Sequence, residues 1–322
     1  MRKVRFGIIG TGKIAGKFAE EAAFVENCEV IAVASRTLDK ATTFAKKHYI
    51  SKGYMDYKSM LKDSDIDAVY IATPHVNHKR ETIAALKAKK AVLCEKSFAM
   101  NSTDAAEMID CARVEDVLLM EAMWIRFLPA IIKMKSLLDE GLIGDVAFVK
   151  CDFGFDMGAD YSEVDRLLNP ELGGGALYDV GIYPVSTLRY IMEKDPIEIN
   201  CASMPTKTGV DGLSIYQYKY EDGRLAILYS STCVNTQKEL FISGTKGSIH
   251  VPLFWMADRL TLTDQNGEMK EFVFPKTGTG YVYEIESFCN SFLQGKKENE
   301  RMPLAETLAI MKTMDVIRSK IG

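Results

Sequence analysis

The residues with the most chemical content begin at Gly7. The run Gly7-Ile-Ile-Gly10-Thr11-Gly12-Lys13-Ile14-Ala15 follows a short apolar stretch, Val4 to Ile9. It leads into a helical pattern with Ile14, Phe18, Ala22 and Val25 on one stripe. A glycine turn between a buried strand and a helix is the context in which G-x-G-x-x-A marks a dinucleotide phosphate site. Gly10 permits the tight turn, Gly12 lets the backbone approach a pyrophosphate, and Ala15 keeps the helix close to the strand. Thr11, Lys13 and Ile14 complete the cradle, with the pyrophosphate on the free N–H groups of the helix start. The competing reading is a glycine turn that binds nothing. At the end of the second apolar run stands Ser35-Arg36. An acidic residue there would hold the ribose hydroxyls of NAD, whereas arginine pairs with a 2′-phosphate and stacks on adenine. NADP(H) is therefore favoured over NAD(H), with Thr37 as an assistant, unless Arg36 is only a solvated turn residue.

Lysine is unusual at a buried strand end, yet Lys96 closes the fourth apolar run, on the edge of a parallel sheet where ligands bind. Glu95 either pairs with it or holds a ribose hydroxyl. Thr73, Pro74 and His78 follow the third run and line the nicotinamide or ribose side. His78 reads equally well as an ordinary residue of a helix N-terminus. His75 and His78 are three apart, but no acidic or cysteine partner joins them, so no metal site is expected.

These residues need elements to carry them. Val4–Ile9, Val30–Ala34, Ala68–Ala72, Ala91–Cys94 and Val117–Met120 are apolar enough for strands covered on both faces. Helical stretches lie between them, at 38–48, at 77–89 and from Ser102 on, where Thr103 and Asp104 crowd the helix start. Alternating strands and helices mean a parallel sheet with right-handed crossovers. The pattern then changes. An amphipathic helix, 127–140, ends at Gly141, and longer β-runs follow at 145–155, 213–220 and 225–232, the last two joined by the hairpin signal Asp222-Gly223. A further strand–turn–strand spans 241–250; its Lys246 is a turn residue. Tyr216, Tyr218 and Tyr220 share one face of the first hairpin strand, and the partner strand is apolar on both faces. Such a sheet needs two covers, and a second subunit is a plausible one. Two helices, 282–293 and 303–321, end the chain.

The fold class expected is α/β: an N-terminal Rossmann-like parallel sheet domain, residues 1–122, and a C-terminal α/β domain with a large, mostly antiparallel open sheet, residues 123–322. The C-terminal helices could pack back on the first domain. The 322 residues are 47% hydrophobic and 26% charged, with net charge −4. That balance gives no pull toward nucleic acid or an anionic membrane, and no apolar run is long enough to span a bilayer. The chain enters its first strand at once, which leaves no room for a signal peptide. Seven scattered cysteines without a C-x-x-C spacing point to reduced thiols and a cytoplasmic location.

Several segments, in order, resemble the glucose-fructose oxidoreductase/inositol dehydrogenase (Gfo/Idh/MocA) family. They are Gly10-Thr-Gly12, Ala72-Thr-Pro74-His-Val-Asn-His78, Cys94-Glu95-Lys96, and Gly173-Gly-Gly-Ala-Leu-Tyr-Asp179-Val-Gly-Ile-Tyr183. Within it, Glu121-Ala-Met-Trp124-Ile-Arg126-Phe127, Gly209-Val-Asp211, Ser243-Gly-Thr-Lys-Gly247 and Trp255 are similar to the dihydrodiol dehydrogenase branch. The resemblance implies NAD(P)-dependent oxidation or reduction of a polyol, sugar or diol, and a homodimer formed through the C-terminal sheet. It implies Lys96 and Tyr183 as the pair that moves the proton, with Asp179 as orienter. Asp179 and Tyr183 are four apart and share a face if that segment is helical. Pro184 leaves open either a kinked helix or one that starts near Asp179 with Asp179 as its N-cap. Trp124, Arg126, Phe153 and Trp255 are candidates for the substrate wall or for plain core packing. One departure stands out: Ser97 follows the lysine where the family has proline, which leaves Lys96 less constrained.

The reading is an oxidoreductase that interconverts a hydroxyl and a carbonyl on a small polyol, sugar or trans-diol. Its rivals are a keto-sugar reductase of the anhydro-ketose type and an NADP-binding sensor that has lost turnover.

Overall fold

The computed structural model describes residues 2–158, 161–163 and 165–321. The chain divides into two compact units. The first runs to Trp124 and takes in Thr277–Leu308; the second takes in Ile125–Lys276 and the chain from Ala309 on.

Six parallel strands form the sheet of the first unit: β1 (Val4–Ile9), β2 (Cys28–Ala34), β3 (Lys52–Tyr54), β4 (Ala68–Ile71), β5 (Ala91–Glu95) and β6 (Leu119–Ala122), in the order β3-β2-β1-β4-β5-β6. β1 lies between β2 and β4, so the winding reverses there. The connecting helices are α1 (Lys13–Ala22), α2 (Leu38–Lys47), α3 (Tyr57–Leu61), α4 (His78–Lys87) and α5 (Ser102–Glu115). β4 and β5 are buried along their whole length, as strands covered by helices on both faces should be. The short β3 and α3 carry no apolar run; β3 is only half-buried, at the sheet edge.

In the second unit α6 (Pro129–Asp139) leads into β7 (Val146–Gly154), and α7 (Ile182–Met192) precedes β8 (Glu198–Pro205), β9 (Asp211–Lys219), β10 (Leu225–Ser231), β11 (Leu240–Gly244), β12 (Gly247–Val251), β13 (Arg259–Asp264) and β14 (Met269–Val273). The eight strands are ordered β14-β13-β12-β11-β7-β10-β9-β8. β7 and β10 pair parallel; the other neighbours are antiparallel. The Asp222-Gly223 turn joins β9 to β10 with Leu225 opposite Lys219. Tyr216, Tyr218 and Tyr220 are buried on one face. On the other, Ile215, Leu225 and Phe241 are exposed.

The chain returns to the first unit with α8 (Val282–Leu293), whose Phe288 ring lies 5.4 Å from Phe6 of β1. Asn290 accepts from Asn27 at 2.8 Å, and the Thr279 amide donates to Glu21 at 2.8 Å. The last helix, α9 (Leu304–Ile321), is divided between the units at Leu308.

At the reversal point Gly10 adopts φ +113°, and a Cβ there would lie 2.8 Å from the Ala72 carbonyl oxygen. Both the conformation and the close approach require glycine. Gly10→Ala is expected to cost about 2 kcal/mol of stability. Urea unfolding checks this; an unchanged midpoint would show that the turn relaxes freely.

Candidate active site

All six strands of the first sheet point the same way, so the segments after them share one edge. Gly10 donates its N–H to Ala34 O at 3.0 Å, which ties the glycine turn to β2. Thr11 and Ser35 meet through their hydroxyls at 3.3 Å. α1 starts at Gly12 with no side-chain cap and no acidic residue in its first turn. Lys13 is exposed and Ile14 half-buried there, and Ala15 is fully buried against the sheet. Arg36 is exposed after β2, and Thr37 caps α2 by accepting from Lys40 N.

After β4, the Thr73 hydroxyl donates to Glu81 at 2.6 Å, and half-buried Pro74 leads into a short 3-10 turn, His75–Asn77. His78 is fully buried. Its Nε2 lies 2.9 Å from Thr73 O and its Nδ1 3.0 Å from Ser97 O. The ring therefore bridges the loop after β4 and the loop after β5, and it has no exposed atom to offer a ligand. Burial holds its pKa down, against the pull of the facing carbonyls. His75 Nε2 lies 3.2 Å from Lys96 O. The loop bearing Lys96 is thus gripped at two successive carbonyls by two histidines. The Lys96–Ser97 peptide bond is cis, and Ser97 is fully buried. Lys96 itself is half-buried.

Glu95 turns inward. It accepts from the Tyr70 hydroxyl of β4 and, at 3.2 Å, from the Lys96 amide. Desolvation lifts its carboxyl from 4.5 to about 7. Deeper, Glu284 of α8 is fully buried, with no hydrogen-bond partner for its carboxyl among the described residues. Burial, with Glu95 and Glu121 as neighbours, raises its pKa well above the usual carboxylate range. Trp124 is also buried, its ring stacked on Tyr281 at 4.4 Å.

The second unit holds the other candidates. A π-helical turn, Leu177–Gly181, runs straight into α7. Asp179 is not the N-cap of α7: Gly181 occupies that position. Pro184 is the third residue of α7, inside the continuous helical run that follows the π-helical turn, and it has no N–H to donate to that run. Asp179 accepts from Arg166 at 2.6 Å. Tyr183 lies on α7 beside Phe153 of β7, with ring centroids 5.4 Å apart, and Phe153 stacks on Trp255 at 4.9 Å. Three residues far apart in sequence thus form one aromatic cluster. Arg126 is buried, donates to Ser186 Oγ and to Ser186 O of α7, and sits 4.9 Å from the Tyr190 ring centre. Sequence reasoning missed Arg166, Tyr70 and Glu284, whose surroundings carry no motif. Asp211 stood out only as part of Gly209-Val-Asp211.

A doubly wound sheet with an uncapped glycine helix start at its reversal point is the architecture of a dinucleotide-binding domain, here followed in the chain by an open-sheet α/β unit. Residues 4–123 match the oxidoreductase family with an NAD-binding Rossmann fold, and residues 131–250 match the GFO/IDH/MocA C-terminal domain. The chain belongs to the GFO/IDH/MocA family, and it is an NAD(P)-dependent oxidoreductase. Among similar proteins, the trans-1,2-dihydrobenzene-1,2-diol dehydrogenase of Danio rerio is 36% identical over 331 residues, covering 99% of this chain and 97% of its own. That of Homo sapiens is 32% identical over 332 residues with the same coverage. The fold is shared with aldose-aldose oxidoreductase from Caulobacter crescentus, solved with glycerol, at TM-score 0.90 and 24% identity, covering 99% of this chain and 97% of that one. It is shared too with a levoglucosan dehydrogenase solved with NADH and levoglucosan, at TM-score 0.90, 20% identity and the same coverage. No helix among the described residues is long and apolar enough to cross a membrane.

The buried carboxyls set a pH dependence. Glu95 and Glu284 hold protons in the folded state that the unfolded chain releases near the usual 4.5. The folded state therefore binds more protons, and stability falls as pH rises. For Glu95 the loss runs from about 4.5 to about 7 and amounts to roughly 3 kcal/mol. Thermal melts across this range should show the decline, and Glu95→Gln should make it shallower, with Glu284 still contributing. A variant that declines as steeply as the wild type would rule out Glu95 as its source.

Proposed function

We propose that this protein interconverts a hydroxyl and a carbonyl on a small polyol, sugar or trans-diol, with NADP(H) as its preferred cofactor. The observation that carries the reading is the cluster around Tyr183: a phenol on α7 set beside Phe153, with Trp255 stacked behind it. Aromatic faces of this kind suit the apolar face of a ring whose hydroxyls point elsewhere. Relatives at 32% to 36% identity over nearly the whole chain are named for a diol substrate, which favours a cyclic trans-diol over an open-chain polyol.

The first unit fits a dinucleotide. The start of α1 leaves its amides without a side-chain acceptor, and a Cβ on Gly12 would meet nothing within 4 Å. That space and those donors suit a pyrophosphate. Gly10, Thr11, Gly12, Lys13 and Ile14 would hold it, Ser35 and Arg36 the 2′-phosphate end, and Thr73 and Pro74 the nicotinamide side. His78 serves from below by fixing the two loops. When bound, the nicotinamide supplies the hydride chemistry.

The chain's own groups handle the proton. In the oxidative direction the substrate C–H leaves as hydride and the hydroxyl proton passes to the Lys96/Tyr183 pair. In the reductive direction the pair returns that proton to the alkoxide oxygen. Asp179, anchored by Arg166, orients the substrate hydroxyl. The exposed Ile215, Leu225 and Phe241 support a homodimer formed through the open sheet face. The free cysteines suit a reducing, cytoplasmic setting.

The test is NADPH oxidation and NADP⁺ reduction against trans-diols, keto-sugars, aldoses and inositols. Tyr183→Phe should lower kcat by about 10²- to 10⁴-fold and leave NADPH binding intact. Turnover at the wild-type rate would remove Tyr183 from the chemistry. Binding of NADPH with no turnover by the wild type on any substrate would favour the sensor reading. In the same assay Arg36→Ala should weaken NADPH binding roughly tenfold or more and spare NADH. Equal losses for both cofactors would assign Arg36 another role.

A further inference from the structure

Asp211, the first residue of β9, lies far along the chain from Asp179 and Tyr183, but its carboxylate reaches the start of their segment. Oδ2 accepts from the Leu177 amide at 2.8 Å and from the Ser214 hydroxyl at 3.1 Å. The Ala176 amide also contributes. Leu177 is the first residue of the π-helical turn, and no side chain of the turn itself caps it. The carboxylate occupies the space that a side chain on Gly175 would fill: a Cβ there would lie 2.1 Å from Oδ1, and Gly175 has φ +106°. A negative group at the amide end of a helical segment is the stabilising arrangement.

We propose that Asp211 is a positioning residue, whose ionised carboxylate fixes the turn that carries Asp179 and leads into Tyr183, so that turnover depends on its charge. This rests on the reading that Asp179 and Tyr183 carry the chemistry. Protonation turns an acceptor into a weaker one and removes the charge from the amide end. The surroundings make that protonation accessible. Tyr178 faces the carboxylate from the turn, with Arg318 and Asp315 of α9 behind it. Tyr216 faces it from β9, bonded to Ser230 of β10 at 2.7 Å, with Cys201 of β8 beyond. Ser203 of β8 meets Ser214 at 3.2 Å. Burial raises the carboxyl from 3.8 to about 6 against its hydrogen bonds.

The experiment is the pH profile of kcat, with NADPH affinity measured alongside, for wild type, Asp211→Asn, Ser214→Ala and Tyr183→Phe. Wild-type kcat should fall as pH drops through about 6 while NADPH affinity holds. Asp211→Asn keeps an acceptor oxygen for Leu177 but cannot titrate. Its kcat should be lower by up to about tenfold at neutral pH, and the fall near 6 should vanish. Ser214→Ala removes a donor to the carboxylate and should move the fall to higher pH; this mild change keeps the test valid if Asp211→Asn does not fold. An unaltered acid limb in Asp211→Asn, or in Ser214→Ala where it alone folds, overturns the inference. An active Tyr183→Phe overturns the site reading instead, whereas an inactive Tyr183→Phe beside a wild-type-like Asp211→Asn overturns only the role of Asp211.

Discussion

Parallel pairing in the first sheet is the constraint from which the rest of that unit follows. With six strands pointing one way, every strand ends on the same edge, and the segments after β1, β2, β4 and β5 become neighbours whatever their distance in sequence. The reversal of winding at β1 then opens a gap between crossovers at that edge. Glycine is needed there because the turn after β1 comes against the Ala72 carbonyl. The uncapped end of α1, the lysine after β5 and the two histidines beneath it all occupy positions that this pairing creates. A sheet of mixed direction would scatter them over two edges.

Polar groups in this unit are set in low dielectric, and their roles follow from it. His78 lies between two carbonyl oxygens, and a neutral ring has one N–H for two acceptors. Burial resists the charge that would satisfy both. Glu95 and Glu284 settle the same conflict by keeping protons. The half-buried Lys96 thus stands over an interior whose carboxyls are largely neutral at mild pH.

Much of this was legible in the sequence, for a definite physical reason. Strands covered on both faces must be apolar throughout, so β1, β4 and β5 announce themselves, and the glycine turn is fixed by the chemistry of phosphate binding. β3, β8 and β14 are not legible because edge strands need no apolar pattern; β14 is exposed at nearly every position. The aromatic grouping of Phe153, Tyr183 and Trp255 was available only as separate candidates, since nothing local says that β7 lies under α7. Arg126 was open between the substrate wall and packing, and its bonds to Ser186 of α7, some sixty residues on, could not be read locally. The π-helical turn was hidden as well, because Pro184 marks an irregularity without saying which kind.

The return of α8 to the first unit has a consequence for how the molecule comes to exist. Phe6, Asn27 and Glu21 are made long before their partners Phe288, Asn290 and Thr279. During synthesis the nucleotide-binding sheet waits, with the Phe6 side of β1 uncovered, while Ile125–Lys276 of the second unit is translated. The N-terminal unit is therefore begun first and completed only after most of the second unit has been made. A ribosome that stops before α8 releases a chain with an open apolar face, the kind of surface that chaperones hold.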